Sequence, residues 1–226
     1  MKFTQFFRLT ATLAVLALLG GCATRGPSFD YTAFREARPA SILVLPPLNH
    51  SPEVGASNSL LSFATLPLAE SGYYVLPVTL VNETFKENGL QNPAEIHDVS
   101  VEKLREIFGA DAALYIDIKQ YGTVYAVVMS ETRVTAQGKL VDLRSGRVLW
   151  TGSATASSNE GNNNSGGGIA GLLIKALVSQ IADSMTNRGH QIAGITSQRL
   201  LSAGHPNGIL YGPRSPMYQK DGSPSP

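Results

Sequence analysis

The sequence predicts an α/β (α+β) fold: a mixed sheet in a two-layer or three-layer domain, with a parallel βαβ half followed by an antiparallel hairpin extension. Three observations predict it. Short apolar runs at 41–45, 73–76 and 112–118 alternate with segments whose apolar residues fall at helical spacing, and such alternation implies parallel strands joined by right-handed crossovers. Beyond residue 123 the chain turns rich in Val, Thr and Tyr, and a polar, Gly-containing stretch at 142–147 separates two extended runs, a hairpin signal. A strongly apolar helical segment at 169–185 supplies a face to cover the sheet.

Each element has a local cause. Residues 41–45, Ser-Ile-Leu-Val-Leu, are apolar at successive positions and stop at Pro46-Pro47, as fits a strand covered on both faces. The helix expected at 57–71 carries Leu60, Leu61, Ala64 and Leu68, with a kink or an early end at Pro67. Thr79 is placed to cap a brief helix through Phe85. Ser100 opens a helix with Val101, Leu104, Ile107 and Phe108 on one face, and Gly109 ends it. The Ser, Asn and Gly tract at 157–168 has too little apolar area to offset its ordering entropy and is expected to be a mobile loop. A further helix is expected at 191–201. The expected organisation is a leader at 1–21, a tether at 22–35 in which Tyr31, Phe34 and Arg35 begin the packing, a domain at 36–203 and a Gly/Pro-rich tail at 204–226.

The amino terminus carries an address. Lys2 and Arg8 precede an apolar run from Ala11, too short to span a bilayer, which ends in Leu19-Gly20-Gly21-Cys22. This resembles the lipobox of bacterial lipoproteins, and the resemblance implies a signal peptide cut before Cys22 and acyl chains (palmitate among them) on that residue. Several acyl chains anchor far more firmly than one, at about 0.8 kcal/mol per buried methylene. Ala23 and Thr24 follow, rather than the Asp that marks inner-membrane retention, so the resemblance implies an outer-membrane address with the domain in the periplasm. Which side of that membrane the domain faces is left open.

Composition restricts the function. Of the 18 Lys and Arg residues, Lys2 and Arg8 lie in the leader, leaving 16 against 17 Asp and Glu. No basic excess neutralises phosphates, and nucleic acid is excluded as an expected partner. His50, His97, His190 and His205 are dispersed without metal-ligand spacing, and His190 and His205 read as loop residues. The one cysteine belongs to the lipid, and no Ser nucleophile motif or phosphate loop is present. Asp111, Asp117 and Asp142 follow a helix end, a polar strand face and a turn, where structural roles suffice. No enzyme, cofactor or metal site is expected.

Two segments carry a resemblance. Phe108-Gly109-Ala110-Asp111-Ala112, leading into Leu114-Tyr115-Ile116, and Gly138 to Trp150, with Leu140, Asp142, Gly146 and Trp150 as its marks, resemble the strand entry and hairpin of the TolB amino-terminal-like fold. That fold is shared by the curli secretion lipoprotein CsgG and by lipoprotein activators of peptidoglycan synthases. With Tyr211-Gly212-Pro213-Arg214, the chain resembles a family of Gram-negative outer-membrane lipoproteins of the meningococcal vaccine-candidate type. The hairpin pattern is structural: Gly146 turns the chain and Trp150 fills core. The resemblance implies a protein-binding accessory of a secretion or envelope-assembly system, with other envelope proteins as partners and oligomerisation left open. Its alternatives are a CsgG-like oligomeric secretion pore and a peptidoglycan-synthase activator.

Overall fold

Two prolines set the path of the first strand. β1 (Ser41–Val44) pairs in parallel with β4 (Ala112–Tyr125), and β2 (Leu48–Asn49) pairs with the same strand further along. Between them Pro46 and Pro47 have no N–H to give the ladder, so the chain leaves β4 after the Leu45 amide bonds the Leu114 carbonyl and returns where the His50 amide bonds that of Ile118. The computed structural model describes residues 29–125, 130–160 and 185–221. Its six-stranded sheet runs β3 (Tyr74–Val75), β1, β4, β5 (Ser130–Asp142), β6 (Val148–Ser157), with β2 beside β4. The β3–β1–β4 half is parallel and β4–β5–β6 antiparallel, as the strand–helix alternation and the hairpin signal imply.

Among the described residues the helices are α1 (Thr32–Ala37), α2 (Ala56–Ser62), α3 (Thr65–Glu70), α4 (Val78–Glu87), α5 (Pro93–His97), α6 (Val101–Phe108) and α7 (Met185–Leu201). Alternation along β1 places Ile42 and Val44 in one apolar cluster and Leu43 and Leu45 in another. The larger cluster continues through Leu114, Ile116, Val134, Leu140 and Trp150 to Ile192, Ala193, Leu200 and Leu201 of α7. The smaller holds Val81, Phe85, Ile96 and Leu104 from α4, α5 and α6 against Ala113 and Leu143. Ser100 Oγ accepts the Lys103 amide at 3.3 Å and Gly109 takes the left-handed conformation at φ 64°, so α6 starts and stops where its sequence signals stand.

Several expectations need correction. The helix at 57–71 is two helices, broken at Phe63 and Ala64 rather than at Pro67, which sits in the first turn of α3, where a missing N–H costs no helix bond. α4 begins at Val78 behind Pro77, and Thr79 makes no cap. The strand expected at 112–118 runs on to Tyr125, and its return begins at Ser130; the intervening Ala-Val-Val-Met carries no Gly, Pro, Asn or Asp to announce a reversal. His190 lies within α7, not a loop. Part of the stretch beyond residue 204 joins the core: Ile209 and Leu210 are buried, and the Tyr31 and Tyr73 hydroxyls donate to the carbonyls of Gly208 and Leu210. Two apolar side chains and two backbone-directed phenols outweigh the Gly and Pro content there. The lipidation at Cys22, the loop beyond Glu160 and the helix at 169–185 short of Met185 fall outside the described residues.

Candidate functional site: a polar sheet face and the edge of β6

The two faces of the antiparallel half differ. α7 seals one, whereas α4, α5 and α6 cover β1 and only the beginning of β4 on the other. Period-two alternation therefore presents Asp117 of β4, Gln137 and Lys139 of β5, and Thr151, Ser153 and Thr155 of β6 on an open face, and Lys119, the extra residue of a bulge in β4, lies beside Asp117. A groove of 710 Å³ crosses it, bounded by His97 and Asp98 at one side and by Thr151 and Ser153 at the other.

The charged groups of the groove are held by one another. His50 Nε2 lies 2.8 Å from Asp117 Oδ1, close enough for an ion pair but off the angle of a hydrogen bond, and Lys119 holds the other oxygen. His97 Nε2 is 2.9 Å from the Pro46 carbonyl; a carbonyl can only accept, so Nε2 carries the proton. The His97 ring meets Tyr115 edge-on at 5.2 Å, and Lys139 Nζ stands 4.9 Å over the Tyr115 ring. Burial lowers the His97 pKa, and the Lys139 charge adds to it; the Pro46 carbonyl, Asp117 and Asp98 oppose the shift without reversing it.

A pH dependence follows. A histidine whose folded pKa lies below its unfolded value binds its proton more readily when unfolded, so its contribution to stability is full above the unfolded value of about 6.5 and is lost as pH falls toward the folded one. The urea midpoint of the domain should fall between pH 7 and pH 5, and His97→Gln should flatten that fall. An equal fall in the variant would show that another group carries it.

The β6 edge is the second part of the site. The Ser158 amide bonds the Thr132 carbonyl, in register with the Arg133–Ser157 and Val134–Ala156 pairs, so even-numbered β6 residues face β5 and odd-numbered ones turn their backbone groups outward. The outward set confirms this: the Ser157 amide donates to Glu160 Oε1 at 2.9 Å, and the Thr155 carbonyl accepts Arg199 Nη1 at 2.6 Å. No hydrogen bond from a described residue reaches the outward amides and carbonyls of Thr151 and Ser153. A second groove of 400 Å³ runs along the same stretch on the α7 side, walled by Leu200, His205, Pro206 and Asn207. Thr151, Gly152 and Ser153 line both grooves.

The acids weighed in the sequence do not converge on a reacting centre. Asp111 Oδ2 accepts the amides of Ala40 and Ser41 and the Ser41 hydroxyl, and Arg144 bonds its other oxygen. Asp142 accepts the Ser145 amide and hydroxyl across the turn. Only Asp117 joins the groove. Among the described residues no three His, Cys, Asp or Glu side chains could hold one metal ion, and no helix is long and apolar enough to cross a membrane. Sequence reasoning did not assemble His50, His97, Tyr115 and Lys139. The alternation of Asp117 along β4 and of Gln137 and Lys139 along β5 signalled the face, but nothing local placed His50 and His97 beside it.

The family model described as "Putative lipoprotein GNA1162-like" matches residues 29–214. The chain belongs to this family. A relative from Neisseria meningitidis serogroup B (strain ATCC BAA-335 / MC58), named "Putative lipoprotein NMB1124/NMB1162", is 52% identical over 201 residues, covering 89% of this chain and 93% of the relative. The crystal structure of lipoprotein GNA1162 from Neisseria meningitidis is 51% identical and matches with a TM-score of 0.51, over 65% of this chain and all of that one. A weaker likeness, at 13% identity and a TM-score of 0.40, joins 77% of this chain to 93% of a PelC chain from Paraburkholderia phytofirmans. Membership fixes the lipoprotein class and the mixed α/β fold. The matched residues 29–214 include every group of the two grooves.

Proposed function

We propose that this lipoprotein is held at the outer membrane by lipid on Cys22 and that its periplasm-facing domain binds other envelope proteins as an accessory of a secretion or envelope-assembly system, without catalysis of its own. The observation that carries the binding role is the β6 edge, where backbone groups of Thr151 and Ser153 that no described residue pairs run between two grooves. Lipoprotein membership and the Leu19-Gly20-Gly21-Cys22 leader followed by Ala23-Thr24 support the anchor and the address. The CsgG-like pore draws less support: Tyr121 and Thr132, far along the β4–β5 hairpin, are buried within the domain, and Tyr121 donates to Ser59 of α2 at 2.8 Å. These residues are committed to packing rather than to lipid.

Labelling cells with radioactive palmitate tests the anchor. Wild type should carry label in the outer-membrane fraction, and Cys22→Ala should carry none. Label persisting in the variant, or confined to the inner membrane in wild type, would contradict this assignment. A photo-crosslinker placed at Gln137 should then trap an envelope protein that one placed at Glu83 on α4 does not.

A further inference from the structure

We propose that the edge of β6 accepts an extended segment of a partner protein as a seventh strand, paired to the outward amides and carbonyls of Thr151 and Ser153. This rests on the partner-binding role above and names its mode. Sheet edges invite such pairing unless charge, proline, a bulge or a covering element blocks them. Among the described residues the blocks on β6 stand at its ends. Arg199 caps the Thr155 carbonyl, Glu160 takes the Ser157 amide, and the register shift opposite Leu140 and Val141 disrupts the ladder near Val148. The window between them, Thr151 to Ser153, carries neither charge nor proline nor bulge.

The occupant's chemistry follows from the window's surroundings. Two donors and two acceptors spaced along one strand edge are matched together only by another extended backbone. Such a strand directs alternate side chains to opposite faces, and here each face has its groove. One set enters the polar groove toward Lys139 and Asp117, favouring hydroxyl or amide side chains; the other enters the groove toward Leu200 and Pro206, favouring an aliphatic one. A helix could present only one face to this ridge, and its backbone groups are already used. A second copy of this chain offers its own β6 edge, and pairing of the two edges would protect the same amides without any peptide.

The probe is an end-blocked heptapeptide alternating threonine and leucine between terminal lysines, with control peptides N-methylated at alternate residues in either phase. Hydrogen exchange of the lipidated, detergent-solubilised protein is read by mass spectrometry on fragments spanning β6. The Thr151 and Ser153 amides should exchange rapidly in the free protein and about tenfold more slowly at saturating peptide. One N-methylated phase should lose the effect, and Ser153→Pro should lose it too while keeping its fold, since that amide lies outside the ladder. The N-methylated controls need no protein variant and so decide the matter if Ser153→Pro fails to fold. Protection of these amides in the free protein would overturn the proposal, because the chain's own residues would then cover the edge. Protection indifferent to N-methylation, or absent with the parent peptide, would overturn it as well. If the Gln137 cross-link survives undiminished in folded Ser153→Pro, partner binding stands and strand addition falls.

Discussion

Trp150→Ala should lower the stability of the domain by about 3–5 kcal/mol, the range for removing a large buried aromatic and leaving a cavity, against roughly 5–15 kcal/mol for a whole domain. Trp150 is 1% exposed, and its Nε1 donates to the Asn207 carbonyl at 2.9 Å. Its ring lies over a cross-strand pair of glycines, Gly138 on β5 and Gly152 on β6. A Cβ on Gly152 would stand 2.2 Å from Cζ2 of the indole, and one on Gly138 would stand 3.0 Å from Cζ3. Gly152→Ala should therefore cost about 1–3 kcal/mol in the wild-type background, as overpacking does. With Trp150 already replaced by alanine, the same substitution should be neutral or stabilising, since a strand glycine carries an entropic cost of about 0.5–1 kcal/mol relative to alanine. Urea midpoints of the four proteins in this cycle measure the coupling directly. Equal costs in both backgrounds would mean that the indole does not lie where the glycines leave room for it.

Asp111→Ala should cost about 2–3 kcal/mol at neutral pH. The carboxylate receives two amides, a hydroxyl and a guanidinium, and hydrogen bonds to a charged group contribute about 1.5–3 kcal/mol each before correlated losses. It also joins distant parts of the chain, since Ala40 and Ser41 open β1, Asp111 leads into β4 and Arg144 belongs to the β5–β6 turn. Burial raises its pKa, but the Ala40 and Ser41 donors and the Arg144 charge outweigh burial and hold it below the ordinary carboxylate range. A depressed carboxylate contributes stability above its unfolded pKa and loses that contribution as pH falls through the folded one. The gap between wild type and Asp111→Ala should be full at pH 7 and close below about pH 4. A gap that persists at pH 2 would assign the loss to packing rather than to the charge.

The sheet was legible where side-chain periodicity and punctuation agreed. The apolar run at 41–45 placed a strand buried on both faces, and Ser100 with Gly109 bounded α6 closely. Trp150 and Gly146 declared their roles through the hairpin pattern. What escaped had no local cause to read. The reversal between Tyr125 and Ser130 carries no turn residue, and the break after Ser62 precedes Pro67, the residue whose missing N–H predicts one. The packing of Ile209 and Leu210 depends on phenols from Tyr31 and Tyr73, more than a hundred residues earlier. The site divides the same way. Its polar face follows from alternation along β4 and β5, whereas His50 and His97 reach it from loop and helix ends set by tertiary packing. Gly138 and Gly152 read as weak strand positions in isolation, and only the indole above them explains why no side chain can stand there.

Asn207 also places a mechanical joint in this fold. Its side-chain oxygen accepts the Phe29 amide at 2.9 Å, and its carbonyl holds Trp150. Under the anchoring proposed at Cys22, load reaching Phe29 would be shared between Tyr31, whose hydroxyl holds Gly208, and Asn207, which hands it to the indole on the edge strand and to the wall of the α7-side groove. A partner seated at that edge and a membrane pulling on the tether would thus bear on the same few atoms, and each would change the load the other feels.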